Sequence, residues 1–156
     1  MIFFWNKKQT LNNLERSKLF DETSFYKQFI EDLLNCKKEV IIESPYITSS
    51  RMELLTPIFK MLVDKGIKVH IVTRDPIEHD EYMQHQATNE ILNCCEIGVN
   101  ITLLRGNHHR KLAIIDREIL WEGSLNILSQ NNSREIMRRI ERKALAIEML
   151  SFLNLQ

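Results

Sequence analysis

The chain has 156 residues, of which 44% are hydrophobic and 27% charged, typical of a globular domain large enough to bury a core. Lysine plus arginine equals aspartate plus glutamate at 21 each, so net charge provides no general attraction for a polyanion. No segment approaches the ~20 apolar residues of a spanning helix, and three cysteines, two of them adjacent, exclude a disulfide framework. We expect a reduced, cytoplasmic protein without stable membrane association.

The hydrophobic pattern predicts a single α/β domain over residues 1–156. The apolar residues 1–5 are too few for a signal peptide and predict a packed strand, a dimer contact or the point where a larger protein was cut. Apolar residues at helical spacing then predict a helix over residues 10–36. The later elements are, in chain order, a strand at 40–42, a helix at 52–64, a strand at 67–73, a helix at 82–97, strands at 99–104, 111–116 and 119–124, and a helix at 141–155. Residues 134–140 fit a strand or a helix.

The order of these elements predicts the type of sheet. Strands that alternate with helices of this length form crossover units, so we expect a mixed, partly parallel sheet flanked by helices. The last predicted strands are too close together to enclose helices, and they should form an antiparallel hairpin.

Four polar side chains are expected to meet at the open end of this hairpin. His109 and Lys111 are two residues apart and therefore point to the same face of their strand. If the chain reverses around residues 117–118, Lys111 lies opposite Ser124 and His109 lies opposite Asn126.

Asp116 belongs to the same strand as Lys111 but to its far end. At ~3.3 Å per residue it lies about 15 Å from Lys111, and it points to the other face. We therefore expect Asp116 to brace the turn rather than to touch a substrate.

An imidazole, an ammonium, a hydroxyl and an amide suit the chemistry of a phosphodiester. The negative charge of a phosphodiester repels nucleophiles, so catalysis needs donors such as Lys111, Asn126 and Ser124 to spread that charge. A neutral His109 can then attack phosphorus and form a covalent phosphohistidine intermediate. This scheme needs no metal or cofactor, and no other histidine has the spacing of a metal ligand.

The pattern H-x-K-x4-D-x6-G-S-x-N over residues 109–126 resembles the complete signature of the phospholipase D superfamily. The resemblance extends loosely from residues 40–46 to residues 134–137, where many members carry a glutamate. It implies a phospholipase D-like fold in which Asp116 and Gly123 are structural positions of the motif.

The resemblance also implies roles for the polar residues. His109 is nucleophile or general acid, and Lys111 and Asn126 hold the phosphate. Glu135 orients His109, and Ser124 supports the phosphate or the reaction centre. Glu135 has an alternative interpretation as one partner of a surface ion pair, because arginines surround it in the sequence.

Other residues near the motif have a functional and a structural interpretation. His108 has no lysine two residues later and is expected only to flank the site. Tyr46 and Trp121 could stack on nucleobases, although packing is favoured for Trp121. A run of basic residues fits either a track for phosphate backbones or solvated surface charges. The run is Arg134, Arg138, Arg139, Arg142 and Lys143, and Arg110, Arg138 and Arg139 are the candidates for nucleic-acid contacts.

The number of signatures favours one function over its alternatives. Lipid-cleaving members usually carry two copies in a far longer chain, whereas this chain carries one, as do nuclease domains attached to restriction enzymes and helicases. We therefore expect an endonuclease that prefers DNA to RNA and that can work with a helicase or a restriction-type system. The alternatives are a non-catalytic nucleic-acid-binding or assembly module and a lipid phosphodiesterase.

A single signature also predicts a homodimer. In-line displacement at phosphorus needs a nucleophile on one side and a proton donor on the other. One chain offers one suitable imidazole, because no histidine other than His109 has a lysine two residues later. A two-fold axis through the site would supply the second imidazole, so we expect two copies to share one active centre.

Overall fold

The computed structural model of this chain describes residues 16–155. The strand or dimer contact predicted at residues 1–5 lies outside them, as does the start of the first predicted helix. In the described part of the chain, seven strands form one sheet and four helices flank it. None of these helices is both long and apolar enough to cross a bilayer.

The strands are β1 (Ser17–Asp21), β2 (Glu39–Glu43), β3 (Lys68–Arg74), β4 (Asn100–Leu104), β5 (Leu112–Ile115), β6 (Ile119–Gly123) and β7 (Ile136–Glu141). The helices are α1 (Phe25–Asn35), α2 (Ser49–Asp64), α3 (Glu81–Glu96) and α4 (Lys143–Leu153), with a short 3-10 turn at Pro76–Glu78. The elements predicted after residue 36 are all present, with bounds that differ by a few residues.

The sheet has the strand order β1-β7-β6-β5-β2-β3-β4. Strands β2, β3 and β4 are parallel, because α2 and α3 make the crossover connections between them. The other neighbouring strands pair antiparallel. The mixed, partly parallel sheet and the antiparallel β5–β6 hairpin are therefore confirmed.

The predicted helix over residues 10–36 is wrong at residues 17–21, which form a strand. Strand β1 is at the edge of the sheet, where it pairs with β7, and only α1 is helical. The Asp21 carboxylate accepts hydrogen bonds from the backbone N–H groups of Thr23 and Ser24, which turns the chain between the two elements. Apolar spacing across this turn imitates one helix, although Leu19 is 60% exposed on its strand. Residues 134–140, whose sequence fits a strand or a helix, contain most of strand β7.

The two faces of the sheet are covered unequally. Helices α1, α2 and α3 cover one face, where the main core surrounds the buried ring of Trp121. Helix α4 covers part of the other face, with Ala146 and Leu150 against Ile114 and Leu120. Four strands end or begin at the same end of the sheet, namely the carboxyl ends of β2 and β3, the start of β5 and the end of β6. The motif residues other than Asp116 lie at this end.

Candidate active site

The β5–β6 hairpin is one residue out of the register that the sequence predicts. Leu112 pairs with Glu122, so Lys111 faces Gly123 rather than Ser124. The connection contains three residues, and two of them have left-handed backbone with φ of 54° and 57°. A connection of three residues instead of two shifts the pairing by one position, which the sequence alone does not reveal.

His109 and Lys111 are in direct contact at the open end of the hairpin. The Lys111 ammonium donates to His109 Nδ1 at 2.8 Å and to the His109 carbonyl at 2.7 Å. The His109 ring is exposed and lies edge-on to Tyr46, with ring centroids 6.3 Å apart. The structure thus brings together the imidazole and the ammonium that the sequence places on one face.

The surroundings of this pair favour a neutral imidazole. Partial desolvation, together with the charges of Lys111 and Arg74, lowers the pKa of His109 below its ordinary 6.5. Desolvation also lowers the pKa of Lys111, an effect that the Glu135 carboxylate opposes and Arg74 reinforces. A neutral imidazole is the form that can act as a nucleophile at neutral pH.

Gly123 and Ser124 are fixed by the passage of β7. A Cβ atom at position 123 would lie 2.1 Å from the Ile136 carbonyl oxygen, so a side chain does not fit there. The Ser124 N–H donates to the same carbonyl at 2.9 Å, and Ser124 Oγ accepts from the Ile136 N–H at 3.1 Å. The Ser124 hydroxyl keeps its proton to donate, and the residue lines the cavity that contains Lys111.

Asn126 lies on the segment after β6. It is not opposite His109, where the predicted register placed it. Its backbone carbonyl accepts hydrogen bonds from the N–H groups of Ser129 and Gln130, which closes a turn. Its Oδ1 atom is buried and has no partner among the described residues. Such an atom costs ~1–3 kcal/mol when left unpaired, and as an acceptor it would need an N–H or O–H donor rather than a phosphoryl oxygen.

Glu135 is half-buried beside the site. Its Oε1 atom accepts a hydrogen bond from the Ser133 hydroxyl at 2.7 Å, and its backbone N–H donates to the Glu22 carboxylate at 2.9 Å. Its charge acts on the Lys111 ammonium. These contacts place Glu135 near the pair, while its proposed orientation of His109 stays a prediction.

Asp116 lies at the closed end of the hairpin. Its carboxylate accepts hydrogen bonds from the backbone N–H groups of Lys37, Lys38 and Glu39 at 2.8, 2.7 and 3.1 Å. Burial raises the pKa of Asp116, but these donors and the Cys36 thiol outweigh burial, so the pKa lies below 3.8. The carboxylate is thus occupied in holding the start of β2.

The three arginines predicted to contact nucleic acid have different surroundings. Arg110 and Arg138 line a cavity of about 670 Å³ that also contains His109. Arg139 points to the opposite face, where Asp32 accepts two hydrogen bonds from its guanidinium at 2.8 and 2.9 Å. The prediction for Arg139 is therefore wrong, because side chains alternate along β7 and separate these neighbours.

The two aromatic candidates also differ. Trp121 is fully buried and its Nε1–H donates to Asp32 at 2.8 Å, so it packs in the core and cannot stack on a base. Tyr46 is half-buried and lies next to His109 and His79. Only Tyr46 is placed where it can contact a substrate.

Two charged residues beside the site are not among those that the sequence predicts. Glu43 and Arg74 are the last residues of β2 and β3, and both are buried. A charged residue at the carboxyl end of an apolar strand was the available signal. His108, which is expected only to flank the site, is 8% exposed, and its Nε2 lies 3.9 Å from a Glu43 carboxylate oxygen. Within residues 16–155, no three His, Cys, Asp or Glu side chains are arranged to hold a metal ion.

Residues 29–154 match the sequence model of a family described as cardiolipin synthase, PLD-like domain, where PLD denotes phospholipase D. The match covers most of the chain and includes the whole motif. The chain belongs to the phospholipase D superfamily. This membership makes it a phosphodiesterase of that superfamily in general terms. No curated protein matches the chain significantly.

Solved structures of the phospholipase D superfamily have the same fold. NucT from Helicobacter pylori is 23% identical with a TM-score of 0.66, and the match covers 87% of this chain and 91% of NucT. Nuc from Salmonella typhimurium, a phospholipase D family member, is 15% identical with a TM-score of 0.67, covering 87% and 90%. Phosphatidylserine synthase from Haemophilus influenzae is 15% identical with a TM-score of 0.70, covering 85% of this chain and 37% of the synthase. The phospholipase D-like fold predicted from the signature is confirmed.

Proposed function

We propose that this chain is an endonuclease that cleaves DNA in preference to RNA, alone or with a helicase or restriction-type system. The observation that carries the proposal is the contact between His109 and Lys111 in a cavity bordered by Arg110 and Arg138. Guanidinium groups that line the same cavity as the reacting pair suit the neighbouring phosphates of a polynucleotide. The chain also spans nearly all of NucT and Nuc but about a third of the lipid-synthesising enzyme.

The proposed reaction begins with a movement of Lys111. In the free site its ammonium occupies Nδ1 of His109, and a bound phosphodiester would attract that ammonium to its own oxygens. Nδ1 can then carry the ring proton, and Nε2 attacks phosphorus while the bond to the leaving oxygen breaks. Water later attacks the phosphohistidine, which releases the second product and restores the imidazole.

The remaining motif residues support this reaction. We assign to Asn126 and Ser124 the donation of hydrogen bonds to the phosphoryl oxygens. We assign to Glu135 the acceptance of a hydrogen bond from the Nδ1–H group of His109 once Lys111 has left, because its carboxylate already acts on that ammonium. Each assignment uses a side chain of this chain and needs no metal or cofactor.

We further propose that a second copy of the chain completes the site. The leaving oxygen needs a proton donor on the side opposite the nucleophile, and one chain supplies one His109. Exposed apolar side chains surround the same cavity, with Leu19 60%, Ile136 61% and Phe152 76% exposed. A patch of this kind is typical of an interface, and a two-fold axis beside it would bring two His109 rings to one phosphate.

A cleavage assay in EDTA tests the reaction. Single- and double-stranded DNA and RNA are incubated with the protein, and we expect DNA cleavage to persist under chelation. Quenching in alkaline denaturant should trap a labelled phosphoprotein that the His109→Ala variant does not form, because a phosphohistidine survives base and is hydrolysed in acid. Cleavage that needs added magnesium would reject the mechanism, and binding without cleavage would favour the non-catalytic module.

Mixing of chains tests the shared site. Wild-type protein is combined with excess His109→Ala chains, and activity should fall far below that of the same wild-type amount alone. The reason is that each mixed dimer keeps one imidazole. A protein that is monomeric and active at working concentration, and indifferent to this mixing, would refute the shared site.

A lipid phosphodiesterase is the second candidate, because the same cavity has an apolar wall. Leu19, Ile136 and Phe152 offer surface that acyl chains can cover. Flotation with anionic phospholipid vesicles and a gel shift with DNA separate the candidates. Vesicle binding with release of a lipid headgroup, and no DNA cleavage, would establish the second candidate.

A further inference from the structure

The segment that carries His109 has no regular secondary structure. Residues 105–111 connect β4 to β5, and Gly106 and Asn107 have left-handed backbone with φ of 90° and 58°. No strand ladder fixes such a segment, so its conformation depends on other contacts. The position of the His109 ring therefore depends on Lys111, which contacts His109 directly, and on the side chains that contact its neighbours.

Arg74 holds the residue before His109. Its Nε and Nη2 both donate to the His108 carbonyl, at 3.1 and 3.0 Å. Its Nη1 donates to the Tyr46 hydroxyl at 3.4 Å, and its guanidinium carbon lies 5.1 Å from the centre of that ring. Because Tyr46 lies edge-on to His109, Arg74 contacts both the backbone next to His109 and the ring beside it.

Glu43 holds the residue after His109. Its carboxylate is fully buried and accepts hydrogen bonds from Arg110 Nε at 2.7 Å and Arg110 Nη2 at 3.1 Å. The His108 ring lies against the same carboxylate. The ends of two adjacent strands thus fix the residues on both sides of His109.

The burial of these charges is not explained by stability. Arg74 is 9% exposed, and its acceptors among the described residues are a carbonyl and a hydroxyl, both neutral. A buried charge loses its hydration, and well-packed apolar side chains at the same positions are often at least as stable. The two charges therefore indicate a task at the site.

We propose that Arg74 and Glu43 are positioning residues that hold His109 in line with the scissile phosphate. Arg74 acts through the His108 carbonyl and Tyr46, and Glu43 acts through Arg110. The kinetic consequence rests on the proposed chemistry of His109, whereas the geometry of the ring can be measured without substrate.

Arg74→Lys separates the shape of the side chain from its charge. Lysine keeps the charge but lacks the planar fork that grips one carbonyl with two N–H groups. We expect kcat to fall ~10- to 100-fold with KM within about twofold, because a misplaced His109 attacks slowly although the substrate still binds. Arg105→Lys is the matched control, since Arg105 lies in the same segment and pairs with Asp75 at the surface. Wild-type kcat in Arg74→Lys overturns the proposal.

Glu43→Gln tests the second anchor. Glutamine keeps the size of the side chain but accepts from Arg110 through one oxygen, so we expect kcat to fall ~10-fold. Glu39→Gln is the control at the opposite end of β2, where Glu39 pairs with Arg117, and it should keep wild-type kcat. If Glu43→Gln does not fold, Glu43→Asp keeps the carboxylate but draws it back from Arg110, and it should lower kcat too. Unchanged kcat in the folded variant that is tested overturns the role of Glu43.

An NMR measurement distinguishes failure of this proposal from failure of the proposed function. In the substrate-free protein, ring protons of His109 and Tyr46 should show a nuclear Overhauser effect, which Arg74→Lys should weaken. The effect between Tyr46 and His79, whose ring centroids are 5.1 Å apart, should persist and show that Tyr46 has stayed in place. A His109–Tyr46 effect as strong in the variant as in wild type overturns the positioning role, whether or not the protein cleaves nucleic acid.

Discussion

The polar side chains at the two ends of the β5–β6 hairpin differ in how fully they are hydrogen-bonded to the rest of the chain. At the closed end, the Asp116 carboxylate is surrounded by three backbone N–H donors and a thiol. At the open end, the Lys111 ammonium rests on the imidazole of His109, and the Oδ1 atom of Asn126 has no partner among the described residues. One sequence motif spans both ends.

The difference shows how to separate structural from chemical residues within one motif. A polar group that the backbone already satisfies gains little from a ligand, so its removal should be felt in stability. A polar group held near another without a saturated set of partners can exchange that contact for a substrate. The comparison therefore predicts that variants at the two ends differ in what they damage.

The largest expected effect is at the open end. His109→Ala should lower turnover by ~10³-fold or more, because it removes the proposed nucleophile. Its melting temperature should stay close to that of wild type, since the ring is exposed. His108→Ala is the matched variant, and it should keep turnover but melt earlier, because that ring is buried. Equal losses of turnover would show that the motif has been assigned in the wrong frame.

Glu135→Gln should lower kcat by ~10- to 100-fold, because the ring of His109 loses a partner that orients it. The melting temperature should change little, since the Ser133 contact remains available to an amide oxygen. Glu141→Gln, on the exposed end of β7, is the control. Steady-state kinetics measure kcat, and thermal unfolding measures the melting temperature. A Glu135→Gln enzyme with normal kcat contradicts the proposal that Glu135 orients His109.

Asp116→Asn should leave kcat unchanged and cost ~1–2 kcal/mol of unfolding free energy, through loss of charged hydrogen bonds to the backbone. The pKa of Asp116 is below its ordinary 3.8 in the folded chain. Its contribution to stability is therefore present at neutral pH and is lost as the pH falls below 3.8 and through the lower, folded-state pKa. Denaturant unfolding should therefore show a difference from wild type at pH 7 that shrinks in acid. An inactive variant with normal stability would reverse the roles of the two ends.

The smallest expected effect is a shift of titration at the open end. Desolvation and two cations lower the pKa of His109, so its neutral form should persist below pH 6.5. Removal of a neighbouring cation in Lys111→Met should raise that pKa, because the protonated ring is then less strongly repelled. NMR titration of the ring measures both values. A His109 that titrates above 6.5 in the wild-type protein contradicts the electrostatic account.

The sequence predicted the elements after residue 36 because their apolar periods are regular and glycines mark two of the helix ends. It failed before that point because a strand and a helix, joined by the turn at Asp21, share apolar residues at helical spacing. Edge strand β1 is stabilised by a partner more than a hundred residues away, and local patterns carry no record of such a contact.

The candidate site was predictable to the extent that its residues lie close together in the chain. His109 and Lys111 needed only the alternation of a strand. The pairing partner of Ser124 depended on the number of residues in the turn between β5 and β6. The face of the sheet to which Arg139 points depended on whether residues 134–140 form a strand, which the sequence leaves open. Glu43 and Arg74 reach the site from other strands, so their role emerges only when the sheet is assembled.

Strand β7 lies against Gly123, binds Ser124 and, within residues 16–155, is the sole neighbour of β1 in the sheet. The ribosome synthesises the chain from its N-terminus. Neither β1 nor the open end of the hairpin can complete its contacts until β7 has left the exit tunnel. A nascent chain that already contains His109 and Lys111 still lacks the strand that closes the edge around them. The open end of the hairpin is therefore completed later than the synthesis of the motif residues themselves, because it needs a strand that follows them in the chain.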